Sequence, residues 1–386
     1  AATNKNNPAG YGAARHGSAL SHRRCWLKCR GHEGALMMPL NAMAGPQRQR
    51  RWAFAALLLW ATTACGCSGF LHGQTGTVMS SYAREHMVPH LIADSDVGMA
   101  CAMGAAMTGF VASFERVSDR PNLPVLVSYV GAGMCAEETA QQAELRGARA
   151  IRSGNGIEAT DARLAGERAH RDTATRFYRA FQRAEAVWPT LGDGTCPELE
   201  ADEGVFFLLG LSSGMMAVMH DRSARGTARV PTSIPVRVAR ATACLSDSAW
   251  WGVPSALAAA VWMTVPGSGP KDKDPIVVLD AATKTGDAVG MRLARALQIV
   301  ALGGAGENAK MREAIAAHGD ALKTTPAPAK WQLLDAYAMT LTRHAADLIW
   351  TKEMGYRGPT DDFSALPSKP EAPNPEDADV LDGLEE

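Results

Sequence analysis

Features that mark several common function classes are scarce or absent in this sequence. The 386 residues carry a formal net charge of -1, whereas a body that binds nucleic acid needs a basic surface to displace counterions from phosphates. No alternating polar and apolar run is bounded by the Asn-Gly or Asp-Gly turns of a β-hairpin, so a sheet protein is disfavoured. The zinc-protease pattern HExxH is also missing. A chain of this length can bury a large core, which excludes a disulfide-stabilised miniprotein.

The near-zero net charge conceals two strongly charged ends. Residues 1–51 hold nine Lys or Arg against Glu33 alone, and residues 361–386 hold nine Asp or Glu against Lys369 alone. The long stretch between them is almost neutral. The chain therefore has a basic N-terminal segment and an acidic C-terminal segment on either side of a nearly neutral body.

Composition divides the chain into four segments. No Met precedes Met37, so residues 1–36 are interpreted as a disordered leader or an over-extended start. Residues 37–64 have the character of a lipoprotein signal peptide. Residues 65–356 are expected to form the folded domain, and residues 357–386 an acidic, Pro-rich, disordered tail.

The signal peptide is indicated by the order of its parts. Arg48, Arg50 and Arg51 form a cationic region, and residues 52–60 (WAFAALLLW) form an apolar region too short to span a bilayer as a mature helix. Small and polar residues then lead into residues 61–67 (ATTACGC). This pattern predicts secretion.

The cysteines that end this segment resemble the acceptor of a bacterial lipobox, in which the signal is cut before a cysteine and that thiol is acylated. Cys65, preceded by Thr63 and Ala64, and Cys67, preceded by Gly66, are the two candidate lipidation sites. Lipidation predicts a periplasmic protein anchored to a bacterial membrane, and the lack of Asp after either cysteine favours the outer membrane. Secretion without lipid, or an uncleaved anchor, is the alternative.

Four further cysteines then remain in an oxidising compartment. Cys101 and Cys135 lie on consecutive predicted helices, and Cys196 and Cys244 lie near the ends of later ones. Four thiols allow three pairings, and sequential pairing is the one we expect. Four buried free thiols, packed as small apolar side chains, are the alternative.

The body of the chain is predicted to be helical throughout, with helices that include residues 76–92, 123–150 and 162–188. In the last predicted helix, 328–354, apolar residues recur at steps of three and four, which is typical of a helix that covers a core with one face. Residues 97–114 and 205–219 are instead apolar nearly all round. They are short for membrane spans and rich in Gly, Ala, Ser and Met, which suits a closely packed inner layer of helices.

The order of motifs along this body resembles a known family. Ala314, Ala321, Leu322 and Pro326 have the spacing of the second helix of a tetratricopeptide repeat. Together with residues 176–180 (RFYRA), 202–207 (DEGVFF), 247–252 (DSAWWG) and 330–334 (KWQLL), the sequence resembles the T-component (TatT) lipoproteins associated with TRAP transporters.

This resemblance implies a fold, partners and a ligand class. The fold would be an all-α, tetratricopeptide-like α-solenoid. The partner would be a periplasmic solute-binding protein of the TRAP type, the chain would self-associate as a trimer, and the ligand would be a hydrophobic organic acid. The Gly- and Met-rich early helices, the long leader and the acidic tail depart from the family pattern.

A serine hydrolase is the alternative from a different function class. Residues 210–214 (GLSSG) match G-x-S-x-G with Ser212 as nucleophile, and His318 or His344 with Asp280 or Asp287 could complete a triad. That motif requires a strand followed by a turn and a helix, whereas its flanks here are predicted helical. Gly and Ser that allow a neighbouring helix to approach are the preferred interpretation.

Aromatic side chains are the candidates for ligand binding. They are Phe206, Phe207, Trp250, Trp251 and Trp262, which could line an apolar cavity or simply pack in the core. We expect a non-enzymatic binding protein with no cofactor, no metal and no nucleic-acid partner. A structural or accessory subunit of a larger cell-envelope complex is the alternative to a transport role.

Overall fold

The computed structural model describes residues 71–118, 121–200, 202–359, 363 and 366–367. Over these residues the chain is all-α, and no strand occurs among them. Both predicted N-terminal segments, the lipidation candidates Cys65 and Cys67, and most of the predicted acidic tail lie outside the described residues. The described residues all belong to one compact unit.

The described helices follow one another along the chain. Residues 71–82 are helical and run through a π-helical turn, Ala83–Met87, into the first labelled helix. In chain order the labelled helices are α1 (Val88–Ala93), α2 (Val97–Ser113), α3 (Asn122–Arg152), α4 (Gly156–Val187), α5 (Glu203–Ser223), α6 (Ile234–Ala241), α7 (Val253–Thr264), α8 (Pro275–Asp287), α9 (Leu293–Ala305), α10 (Asn308–Thr324) and α11 (Gln332–Met354).

Small residues set the contact between α2 and α3. A Cβ added to Gly104 would lie 2.5 Å from the backbone nitrogen of Ala132, and one added to Gly131 would lie 2.7 Å from the carbonyl oxygen of Ala100. Only glycine lets the two backbones approach this closely. A disulfide between Cys101 and Cys135, whose Cα atoms are 5.0 Å apart, joins the same two helices.

Helices α3, α4 and α5 pack side by side, and α5 is the most enclosed of them. Its glycines lie against neighbouring side chains: a Cβ at Gly210 would lie 2.5 Å from the Ala184 Cβ, and one at Gly214 would lie 2.7 Å from the Phe181 ring. The preferred interpretation of the GLSSG motif, that it permits close helix packing, is confirmed.

The two all-round apolar segments differ in burial. Val97–Arg116 and Glu203–Ser223 are both long and apolar enough to cross a membrane by length and composition. Of the most apolar stretch within Glu203–Ser223, 72% is buried, whereas only 17% of the corresponding stretch within Val97–Arg116 is buried. The expectation of an inner packing layer therefore holds for α5, whereas α2 lies on the surface.

The C-terminal half returns to the N-terminal half through α11. Helices α7, α8 and α9 pack on one another, and α10 packs on α9. Helix α11 contacts α9 and also α1, α2 and α3. A buried ion pair fixes its start, because the Arg292 guanidinium and backbone N–H, just before α9, both donate to the Asp335 carboxylate. This return brings side chains of α3, α4, α5 and α11 together.

Candidate ligand-binding site

Six titratable side chains from four helices form one hydrogen-bonded network. Glycine and alanine on α3 and α4 bring these helices close, so that polar side chains of each can meet between them. The members are Glu137 and Glu144 of α3, His170 of α4, His220 of α5, and Tyr337 and His344 of α11.

One half of the network centres on the Glu144 carboxylate. His170 Nε2 donates to Glu144 Oε1 at 2.9 Å, and His344 Nε2 donates to Glu144 Oε2 at 2.7 Å. Partial burial acts to raise the pKa of Glu144, but the two imidazole hydrogen bonds and their charges outweigh it and hold the pKa far below its usual range. Glu144 is therefore ionised in this setting.

The other half centres on the buried Glu137 carboxylate. Tyr337 Oη donates to Glu137 Oε2 at 2.6 Å, and His220 Nε2 donates to Glu137 Oε1 at 3.2 Å. Burial, together with the adjacent Glu137, raises the pKa of Tyr337 well above its ordinary value. The tyrosine hydroxyl therefore keeps its proton and acts as a donor.

A contact between two imidazoles joins the halves. His170 Nδ1 and His220 Nδ1 lie 2.9 Å apart, and the rings stack with centroids 5.1 Å apart. A hydrogen bond between these two nitrogens requires one ring to donate and the other to accept. The contact links Glu137 to Glu144 through the two imidazoles.

Three cavities border this network. Their volumes are about 330, 720 and 540 Å³. The 330 Å³ cavity has Tyr337 and His344 in its wall, and the 720 Å³ cavity is bordered by Glu144 and His170. The 540 Å³ cavity reaches both carboxylates and three imidazoles of the network.

The 540 Å³ cavity combines an apolar wall with cations. The apolar wall includes Met216, Met219, Ile299, Leu341, Leu348 and Ile349. Arg312 pairs with Glu353 and donates from Nη1 to the Pro367 carbonyl oxygen at 2.9 Å. Lys352 also lines the cavity, and within the described ranges it makes no ion pair. Such a wall with a few polar groups is typical of a small-molecule site.

The network does not present a metal site. Among the described residues, no group of three or more His, Cys, Asp or Glu is placed to hold a metal ion. The imidazoles and carboxylates donate to and accept from one another. The arrangement can hold charge and protons next to a cavity, and it offers an apolar ligand a polar end.

The structure brings the predicted disulfide partners together. Cys101 bonds to Cys135, and Cys196 bonds to Cys244 with Cα atoms 5.2 Å apart. This is the sequential pairing expected from the sequence. The second bond ties the loop after α4 to the 3₁₀ turn Thr242–Cys244.

The predicted aromatic ligand residues pack in or against the core and line none of the cavities described above. Phe206 and Phe207 are buried in α5, and Phe207 packs edge-on against Trp188 with ring centroids 5.0 Å apart. Trp250 and Trp251 cluster with Trp331. Trp262, the fifth candidate, packs against Gly269.

The candidate hydrolase residues do not form a nucleophile turn. Ser212 lies inside α5, and the hydroxyl of the adjacent Ser213 donates to the Leu209 carbonyl oxygen at 2.7 Å, as in a continuous helix. His318 is buried against Thr342, and His344 belongs to the carboxylate network. Asp280 and Asp287 accept from Gln298 and Arg295.

Sequence reasoning missed five of the six network residues and met the sixth, His344, only as a possible triad member. The available signal is a spacing: Glu137 and Glu144 are seven residues apart, which places both on one face of a helix otherwise rich in Ala. Carboxylates on a buried face require partners, which could have directed attention to isolated histidines on other helices.

Comparisons of the chain with family models, with curated proteins and with solved structures found no match.

Proposed function

We propose that this protein is a lipid-anchored periplasmic binding protein of the kind its motifs resemble, a TRAP-transporter T-component, and that it binds a hydrophobic organic acid. The observation that carries the ligand proposal is the 540 Å³ cavity, which joins an apolar wall to Lys352, Arg312 and the imidazoles of the network. We therefore propose this cavity as the ligand site, and not the five aromatic residues that the sequence suggested.

The chemistry of the wall favours an acid over a base. The carboxylates that line the cavity all have partners: Glu137 accepts from Tyr337, Glu144 from two imidazoles, and Glu353 pairs with Arg312. Among the described residues that line the cavity, Lys352 carries the cation without an ion-pair partner, and its ammonium can meet a ligand carboxylate. The methionine and leucine side chains opposite would bury its hydrocarbon part.

The scaffold role and the partners follow from the resemblance. Successive packing of α2 to α5, and of α9 with α10, supports a tetratricopeptide-like arrangement. A periplasmic solute-binding protein would dock on these helices, and the chain would assemble as a trimer. A structural subunit of a larger envelope complex is the second candidate, favoured by the exposed apolar surface of α2.

Calorimetric titration with decanoate and with decanol tests the cavity. We expect saturable decanoate binding that Met219→Trp weakens, because Met219 lines the cavity and the larger side chain would fill part of it. Lys352→Gln should weaken decanoate roughly fivefold and leave decanol unchanged, because only the acid uses the ammonium. Lys271→Gln, at an exposed site outside the cavity, is the matched control. An affinity for decanoate that neither Met219→Trp nor Lys352→Gln changes would refute the proposal.

The anchor and the partner need separate measurements. Intact-mass spectrometry of the mature protein should show acyl chains on Cys65 or Cys67, and an unmodified terminus would exclude the anchor. Affinity purification from native membranes should recover a solute-binding protein. A stoichiometric multiprotein envelope assembly without one would favour the structural role instead.

A further inference from the structure

Helix α2 presents two large apolar side chains to the outside. Met99 is 59% exposed and Phe110 is 50% exposed. The exposed Ala106 and the half-buried Met103, which packs against the core, lie between them at helical spacing. We call Met99, Met103, Ala106 and Phe110 the α2 stripe. No Asp, Glu, Lys or Arg occurs anywhere in Val97–Ser113.

The opposite face of α2 is fixed to the protein. Ala100 and Gly104 lie against the backbone of α3 at Gly131, and Cys101 is bonded to Cys135. A helix held along its length in this way cannot turn outward to cross a bilayer. It can only lie flat on whatever covers its outer face.

The start of the described chain lies at the Phe110 end of α2. A Cβ added to Gly76, in the first helical turns, would lie 2.9 Å from the Val117 side chain and 3.9 Å from the Phe114 Cβ, just beyond α2. Phe114 in turn packs edge-on against Phe110, with ring centroids 4.9 Å apart. Leu71, the first residue that the structure describes, is 57% exposed.

The chain preceding this end carries the candidate acyl sites. Cys65 and Cys67 precede residue 71 by six and four residues, and an extended chain spans at most about 3.5 Å per residue. An acyl anchor at either cysteine would therefore hold the Phe110 end of α2 within roughly 20 Å of a bilayer surface.

We propose that the α2 stripe lies in the membrane interface and forms a second, non-covalent contact beside the lipid anchor. The location of the membrane in this proposal rests on the anchor of the proposed function. The contact is apolar, and the chain from residue 65 carries about nine net negative charges. Zwitterionic lipid is therefore the expected partner, and salt should not weaken binding.

Vesicle flotation with the chain beginning at residue 65 tests the stripe alone. Cys65→Ser and Cys67→Ser remove both acyl sites. Binding to phosphatidylethanolamine–phosphatidylcholine vesicles then depends on the polypeptide alone. The test variant adds Met99→Gln and Phe110→Gln. Its matched control adds Ile157→Gln and Val277→Gln, which replace apolar residues that are 87% and 63% exposed on α4 and α8.

The unacylated protein should float with the vesicles at low and high salt, and the stripe variant should partition on the order of tenfold less than the control variant. No flotation, or equal losses in both variants, would overturn the proposal. Self-association in sedimentation that the stripe substitutions abolish, without vesicle binding, would also overturn it, since a second copy would then cover α2. Stripe-dependent flotation with an unacylated native terminus would instead refute the anchor alone.

Discussion

The buried His318 should make the stability of the protein fall as the pH falls below 7. Its side chain is fully buried on α10, where burial first, and then the charges of Arg292 and Arg295, lower its pKa from 6.5 to about 3. His318 Nδ1 lies 3.1 Å from the Thr342 hydroxyl, which donates to the Ala338 carbonyl oxygen. Within the described structure Nε2 has no partner, so protonation would bury a donor without an acceptor.

The size of the effect follows from proton linkage. The unfolded chain takes up the His318 proton near pH 6.5, whereas the folded chain resists it down to about pH 3. The stability that His318 contributes is therefore complete above pH 6.5 and is lost as the pH falls toward 3. With 1.36 kcal/mol per pKa unit, the loss is about 2 kcal/mol at pH 5 and about 5 kcal/mol in full.

Urea unfolding at pH 7 and pH 5 measures this loss when wild type is compared with His318→Gln. The glutamine amide can still meet Thr342 but cannot take up a proton, so other titrating groups contribute equally to both proteins. Wild type should lose about 2 kcal/mol more than the variant between these pH values. Equal losses, or an NMR titration of His318 near pH 6.5, would refute the reasoning.

Two further predictions concern crosslinks and a buried charge pair. Replacing Cys196 and Cys244 by Ala should lower the free energy of unfolding by about 4 kcal/mol, because the bond closes a loop with a sequence separation of 48; labelling of Cys196 or Cys244 by a thiol reagent in the denatured, unreduced wild type would contradict the pairing. Arg292→Met alone should lower the free energy of unfolding, measured with urea, by about 3–5 kcal/mol, because it leaves the Asp335 carboxylate buried and unpaired. Adding Asp335→Leu should recover much of that loss. No recovery in the double variant would contradict the charge argument.

Helix positions were the most predictable part of the fold, because local breaks determine them. The predicted segments 123–150 and 162–188 correspond to α3 and α4, and the break between them falls at Gly154, which has a positive φ of 69°. The π-helical turn Ala83–Met87 inside the predicted helix 76–92 was not predictable. It departs from the α-helical period over only five residues, and Pro89 just beyond it disturbs helical hydrogen bonding without specifying a π turn.

The candidate site was much less predictable, since it depends on which helices meet. Glu144 contacts His170, 26 residues away, and His344, 200 residues away. Helical periodicity shows on which face of its own helix each side chain lies. It does not show which faces of helices far apart in the sequence pack together. The disulfide pairing was easier to predict, because only four cysteines remained and the expected partners lay on neighbouring elements.

The contrast between α2 and α5 shows what composition alone cannot decide. Both helices are apolar on nearly every side, yet α5 is surrounded by protein whereas α2 buries only Ala100, Gly104 and Val111. In a helix that faces water, the hydrophobic effect places the large apolar side chains inward and the small or polar ones outward. In α2 Ala100 and Gly104 face α3, whereas Met99 and Phe110 face outward on a surface without charged side chains. Such a surface suits a helix with protein on one side and hydrocarbon on the other, which is why its outer face, beside the candidate acyl sites, is assigned to the membrane.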